Sequence, residues 1–373
     1  MRVSRVESWV YRAPVAKPVR TSFGVMADRP ALFLRVWASD GAWGWGEIFC
    51  NFPPGGAEHR ARLLESVVAP LVQGALTDNP ALVRERLEAQ VRHLAIQCGE
   101  PGPFAQVLAG IDQALWDMAA RRAGMPLWKF LGGADAGPRV RLYASGLGPA
   151  DVAETALRKR AEGYRAFKFK VGFDAKRDLS NFREIRAALG DDAVIMVDAN
   201  QAWSPAEAVD RIRELAGFDP LWVEEPIAAD EPLGAWRELA RNAGVALAAG
   251  ENLRGLGSFG DALASGHLGF VQPDVAKWGG LSGCLQVAKL ARRDGVTFCP
   301  HWLGGGVGLA ASLHLRAAMG PDGYAEVDAN PNPLREEVCP VMPEEGWVTL
   351  GDGPGLGVEP DLASLERFRV GDR

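Results

Sequence analysis

The chain of 373 residues is 47% hydrophobic and carries 41 Lys+Arg against 47 Asp+Glu, a net charge of −6. Its length suits a barrel of roughly 200–250 residues with a companion domain, and its acidic balance offers no footprint for nucleic acid. No apolar run could span a membrane, no secretion signal opens the chain, and five scattered cysteines without a CxxC read as reduced thiols of a cytoplasmic protein.

Residues 2–12 and 30–39 alternate apolar and polar positions, and WGWGEI at 43–48 follows a Ser-Asp-Gly turn. These stretches predict an antiparallel sheet of three strands. Val19–Arg29 and Phe49–Gly56 read as loops. Helical spacing follows at Ala57–Gln73, Pro80–Gln97 and Pro103–Ala123. Residues 1–130 therefore form an α+β domain, and the Gly-rich LWKFLGGADAGPRV is its linker.

RLYAS at 141–145 opens a second pattern, with helices at Pro149–Tyr164, Lys176–Leu189, Ser204–Phe218, Leu233–Asn242, Gly257–Gly266, Leu281–Arg293 and Val307–Met319. Between them, short apolar runs end in ionisable residues: Lys168 and Lys170, Asp198, Glu224, Glu251, Asp274, His301 and Glu326. From Asp198 onward the intervals are 26, 27, 23, 27 and 25 residues, each room for one strand, one helix and two loops. That repetition predicts a parallel (β/α) barrel over residues 131–328, whose C-terminal strand ends face the active site. Residues 329–373, with WVTL as a strand, are expected to pack back on the first domain.

Asp198, Glu224 and Glu251 end successive strands and so converge. Three carboxylates without Cys or paired His favour a hard divalent ion, Mg2+ with Mn2+ a substitute. Helix caps or arginine partners would account for one such acid, but not for three at matching strand ends. Lys168 and Lys170, two apart on a strand, share a face. Repulsion and burial are expected to depress their pKa values and leave one available as a base. A carboxylate such as Asp274 on the neighbouring strand would fix the tautomer of His301. Glu326, if protonated, could donate to developing negative charge. The Gly-rich HWLGGGVGLA lacks phosphate-loop spacing, yet its N–H groups could hold a substrate oxygen. Lys277 reads as a supporting cation, and Trp302 as a pocket residue. The loops around Arg20–Arg29 and Cys50–Gly56 supply further candidates for substrate contact: Phe23, Met26, Arg29, Asn51 and Phe52.

GWGE (44–47), KFKVG (168–172), VDAN (197–200), EEP (224–226), AGEN (249–252), QPDVAKWGG (272–280), PHWLGGGVGLA (300–310) and AEVD (325–328) together resemble the enolase superfamily, in its mandelate racemase subgroup. The resemblance spans essentially the whole chain. It implies a modified TIM barrel, (β/α)7β, with an α+β capping domain completed by the C-terminal segment. It assigns Asp198, Glu224 and Glu251 to Mg2+, Lys170 to one base tuned by Lys168, and the Asp274–His301 dyad to the opposite face of the substrate. Glu326 would hydrogen-bond the enediolate, and Asn200 would contact substrate. Relatives of the muconate cycloisomerase and dipeptide epimerase kind usually carry Lys where this chain has Asp274.

The reading that follows is Mg2+-dependent removal of the proton α to a carboxylate, first as dehydration of an aldonic or aldaric acid to a 2-keto-3-deoxy acid. The alternative is an isomerase, a galactarolactone-type cycloisomerase or a 2-hydroxy-acid racemase, to which NPNPLRE and GDGPGLGVE add similarity. A non-catalytic binding barrel is disfavoured by the complete set of metal and base positions. The expected partners are a small carboxylate substrate and copies of the same chain, as a tetramer or octamer.

Overall fold

A computed structural model of the chain describes residues 1–20, 24–132 and 135–371. The N-terminal sheet has the order β1 (Val3–Arg20), β2 (Val25–Ala38), β3 (Trp43–Ile48), antiparallel throughout. The stretch Val19–Arg29, expected as a loop, is largely strand: β1 runs to Arg20 and β2 begins at Val25, with Val19 opposite Met26. Cross-strand pairing across a bulge between Pro14 and Val19 overrides the local Pro and Gly signals. Helices α1 (Gly56–Leu63) and α2 (Ala69–Val72) are joined by a π-helical turn, Leu64–Val68. Then come α3 (Pro80–Gln97) and α4 (Pro101–Arg122), the latter lying along β3. Leu32, Leu34, Val36 and Ile48 pack there against Val107, Ile111 and Met118. Gly44 and Gly46 are required by this contact, since a Cβ would meet the α4 backbone at 2.0 and 2.1 Å.

Residues expected as linker include a short helix, α5 (Leu127–Leu131), before β4 (Arg139–Leu147) starts the barrel. Seven helices alternate with the strands that follow: α6 (Val152–Ala161), β5 (Ala166–Lys170), α7 (Ala175–Leu189), β6 (Val194–Asp198), α8 (Pro205–Ala216) and β7 (Val223–Glu224). The series continues with α9 (Leu233–Ala243), β8 (Leu247–Ala249), α10 (Leu256–Ala264), β9 (Phe270–Val271), α11 (Gly280–Arg293), β10 (Thr297–Phe298), α12 (Gly306–Ala318) and β11 (Ala325–Asp328). The eight parallel strands run in the order β10-β9-β8-β7-β6-β5-β4-β11. At the remaining seam, Tyr324 N donates to Cys299 Sγ (3.3 Å) and Trp302 N to Glu326 Oε2 (3.1 Å). The result is the (β/α)7β form of a TIM barrel.

After a short helix α13 (Pro333–Glu336), β12 (Trp347–Thr349) pairs antiparallel with β4 of the barrel. The chain then returns to the N-terminal domain: Gly355 N donates to Met125 O, Trp45 Nε1 to Glu359, and Val370 N to Val10 O. The last pieces are α14 (Leu362–Leu365) and a 3-10 turn. Among the described residues no helix is long and apolar enough to cross a membrane.

Candidate active site

Strand alternation builds the site in layers. The barrel interior is plugged by Tyr143, Ala166, Met196, Trp222, Ala248, Cys299 and Tyr324, all buried. Two residues further along the chain, the same inward face presents Ser145, Lys168, Asp198, Glu224, Gly250, His301 and Glu326. The plug thus forms a buried floor beneath a polar ring, at the barrel end where the loops meet the capping domain.

Within that ring, Lys168 Nζ lies 2.6 and 2.7 Å from the two oxygens of Glu224, 3.0 Å from Glu326 and 3.8 Å from Asp198. Lys170 Nζ donates to Asp198 Oδ2 and Asn200 Oδ1, both at 2.7 Å. His301 Nδ1 sits 2.7 Å from Asp274, and its Nε2 is 3.1 Å from Glu251 and 3.8 Å from Glu326. Asp274 is itself oriented by the N–H groups of Ala276 (2.7 Å) and Lys277 (3.1 Å). Lys277 Nζ contacts Glu251 at 2.9 Å and Asn252 at 2.8 Å, under the ring of Phe49 from the N-terminal domain.

The ionisation states differ from the expectation at two points. Burial alone would lower both lysines, but Glu224 and Glu326 around Lys168, and Asp198 beside Lys170, raise them above the usual range. The lysine–lysine repulsion is present at Lys170 but weaker than the pull of Asp198. Glu326, which could donate only if protonated, is held ionised: burial opposes this, but the charges of Lys168 and His301 and hydrogen bonds from Ser145 and Lys168 prevail. His301 would be lowered by burial, yet Glu251, Glu326 and Asp274 push it up to about 9.

Among the described residues no three His, Cys, Asp or Glu side chains already stand as a ligand cluster. Asp198, Glu224 and Glu251 are turned onto Lys170, Lys168 and Lys277 respectively. The donor chemistry nonetheless fits a divalent cation. Five buried carboxyl groups (Asp198, Glu224, Glu225, Asp274, Glu326) and the partly buried Glu251 stand among four basic groups (Lys168, Lys170, Lys277, His301), a formal excess of two acids. Burial, with neighbouring carboxylates adding to it, raises Glu224 to about 7 and Glu225 to about 8, the strain that such a cation relieves.

Several residues expected at the substrate have other duties. Trp302 is 1% exposed, its ring lying over Gly304 and Gly308 and its Nε1 donating to Gly305 O, so it is packing rather than pocket wall. Arg29 is buried, its Nη2 in a 2.5 Å ion pair with Asp328 and its Nε donating to Pro331 O at 3.4 Å. Asn51 donates its amide to Leu303 O at 2.6 Å, and Met26 is buried. Phe23 lies outside the described residues. Asn200 does join the site, through Lys170 and Asp198.

Residues to which sequence reasoning gave no role are Ser145, Gln272 and Asn252; from the sequence Glu225 reads only as one more acid at a strand end. Gln272 Nε2 donates to Glu224 at 2.7 Å, and Asn252 Nδ2 to both oxygens of Glu225. Ser145 ends the expected strand RLYAS and Gln272 directly follows β9, so the rule that found Asp198 could have found them; their lack of charge hid them.

The fold, the polar ring and the dyad define a member of a recognised family. Residues 151–364 match the enolase C-terminal domain-like family, and residues 5–132 match the mandelate racemase / muconate lactonizing enzyme N-terminal domain. The chain belongs to the mandelate racemase subgroup of the enolase superfamily and is an enzyme. It is 31% identical to a D-galactarolactone cycloisomerase of Agrobacterium fabrum, with all of both chains covered. It is 30% identical to a D-galactonate dehydratase of Verminephrobacter eiseniae, over 91% of each. Among solved structures, a mandelate racemase/muconate lactonizing enzyme from Bordetella bronchiseptica is 49% identical, with TM-score 0.92 over 98% of this chain and 99% of that one. A Streptomyces coelicolor racemase with bound magnesium is 31% identical, with TM-score 0.88 over 99% and 100%.

Proposed function

We propose that this enzyme removes the proton α to the carboxylate of a sugar acid and expels the oxygen on the adjacent carbon. The observation carrying this is the placement of two proton-transfer groups on different walls of one polar ring. Lys170 ends β5, while the His301–Asp274 pair stands beyond β10 and β9, with Asp198, Glu224 and Glu251 along the strands between. Lys170 would take the proton, and His301, held as imidazolium, would give one to the departing oxygen.

Mg2+ bound by Asp198, Glu224 and Glu251, one ion per subunit with Mn2+ able to substitute, would supply positive charge beside the substrate carboxylate and relieve the hold of Asp198 on Lys170. Lys168 and Asn200 would fix the substrate's oxygens, and Glu326 would orient His301 through its charge. The buried aromatic floor of Tyr143, Trp222 and Tyr324 would strengthen each of these interactions by lowering the local dielectric.

With a free 3-hydroxyl leaving, the outcome is a dehydratase and a 2-keto-3-deoxy acid. With a ring oxygen leaving, the same two groups open a lactone or anhydro ring, a cycloisomerisation. The second reading is favoured by the relative matched over its full length, named as a cycloisomerase. Incubating Mg2+-loaded enzyme with aldonates, aldarates and their lactones, and detecting 2-keto acids, tests both. Keto acid from open acids supports the first, keto acid from lactones alone the second, and α-hydrogen exchange in D2O without keto acid would replace both with a racemase.

A further inference from the structure

The Gly-rich run after His301 holds a carboxyl group that the chain itself provides, one that burial pushes up to about 8 against the pull of the Gly308 and Gly305 N–H groups. Glu47 of β3 is buried, and its Oε1 accepts the N–H of Gly305 at 2.5 Å while its Oε2 accepts that of Gly308 at 2.8 Å. These N–H groups are those of the N-cap and the first turn of α12, which have no carbonyl partner within the helix and so are free for an oxygen acceptor. The glycines are demanded by the fit. A Cβ on Gly305 would stand 2.8 Å from Glu47 Oε1 and 2.7 Å from the ring of Phe33, and one on Gly304 would lie 3.0 Å from the same oxygen.

A second residue of the N-terminal domain extends the grip to the other half of the dyad. Gln113 of α4 accepts the N–H of Glu47 (3.3 Å), donates to the carbonyl of Glu47 (3.0 Å), and donates to the carbonyl of Val275 (2.8 Å), the residue after Asp274. Asp112, beside it, receives the N–H of Ser282 at 2.9 Å and its hydroxyl at 2.5 Å, at the start of α11. The loops carrying Asp274 and His301 are therefore each fastened twice. One end follows a barrel strand; the other is held by side chains of the N-terminal domain.

We infer that Glu47 and Gln113 are positioning residues for the Asp274–His301 pair, so that the N-terminal domain sets the geometry of the acid group as well as covering the site. Neither touches the imidazole. They act through the peptide groups that flank it, and the 2.7 Å contact between Asp274 and His301 has little room for error. The kinetic arm of the test rests on the proposed chemistry; the spectroscopic arm does not.

The spectroscopic arm uses full-length protein carrying 15N in its histidine rings. The His301→Asn variant identifies the His301 signals by their loss. Glu47→Gln is expected to shift the His301 nitrogens and leave those of His93 and His267 in place; unmoved His301 signals in folded Glu47→Gln overturn the inference. If Glu47→Gln melts early, Gln113→Leu carries the same test, because it cuts the tie to Val275 and spares the carboxylate. Once a substrate is known, Glu47→Gln should lower kcat about 10- to 100-fold at nearly constant KM, with partial recovery in Glu47→Asp. Equal loss of kcat and 1/KM, unrelieved by Glu47→Asp, would indicate a general packing defect and also overturn it. Failure to find a substrate leaves the ring spectra to decide.

Discussion

His314 joins α12 to both neighbouring segments. Its Nδ1 accepts the N–H of Trp128 (3.0 Å) in α5, and its Nε2 donates to the carbonyl of Leu356 (3.1 Å) in the C-terminal segment. This uses the neutral ring completely; a second proton on Nδ1 would face another donor. Burial accordingly pushes the ring down to about 4, opposed only weakly by the Leu356 carbonyl. A folded-state pKa below the unfolded value of about 6.5 gives stability that is present above pH 6.5 and lost as pH falls toward 4. With those two values, linkage gives a loss of about 2 kcal/mol between pH 7 and pH 5. For a cooperative unit of this length that is about 2–3 °C in Tm. The assay compares urea unfolding of wild type and His314→Gln at pH 7, 6 and 5. Gln retains a donor and an acceptor but cannot titrate, so the wild-type curve should fall more steeply by about that amount. Parallel curves would refute the buried neutral imidazole.

Three further outcomes are expected. Arg29→Met should cost about 3 kcal/mol in urea unfolding, because it leaves the buried Asp328 with Arg335 at 3.5 Å as its one charged partner among the described residues; adding Asp328→Asn should recover at least half, and a single-variant loss near zero would contradict the pair's burial. Gly308→Ala places a Cβ 1.9 Å from the Trp302 ring and should lower stability by about 2–3 kcal/mol or more in thermal melts. An unchanged melt would mean that α12 shifts freely. His301→Asn should reduce turnover by about 10²- to 10⁴-fold while calorimetry shows Mg2+ affinity altered little; a fully active variant would remove His301 from the chemistry.

The polar ring was legible because a barrel strand couples position in sequence to position in space. A residue that ends an apolar run on a parallel strand has one place to go, the mouth of the barrel, and intervals near 26 residues count the strands. Asp198, Glu224, Asp274, His301 and Glu326 were found this way. Ser145 and Gln272 obey the same rule and were missed because only charge had been sought.

Alternation and interval thus determined the fold, the layer in which each side chain lies and the chemical types that meet there. Which partner each side chain takes was decided by tertiary packing alone. Glu47 reaches Gly305 across 258 residues, and Arg29 reaches Asp328 across 299. Periodicity specifies a face and carries no information about what a distant segment brings to it. Ionisation follows the same division: two lysines on one strand predict mutual repulsion, but the carboxylates supplied by β6, β7 and β11 outweigh it and raise both. Trp302 shows the steric counterpart, since only the bare backbone of Gly304 and Gly308 lets its ring turn into the protein instead of toward the site.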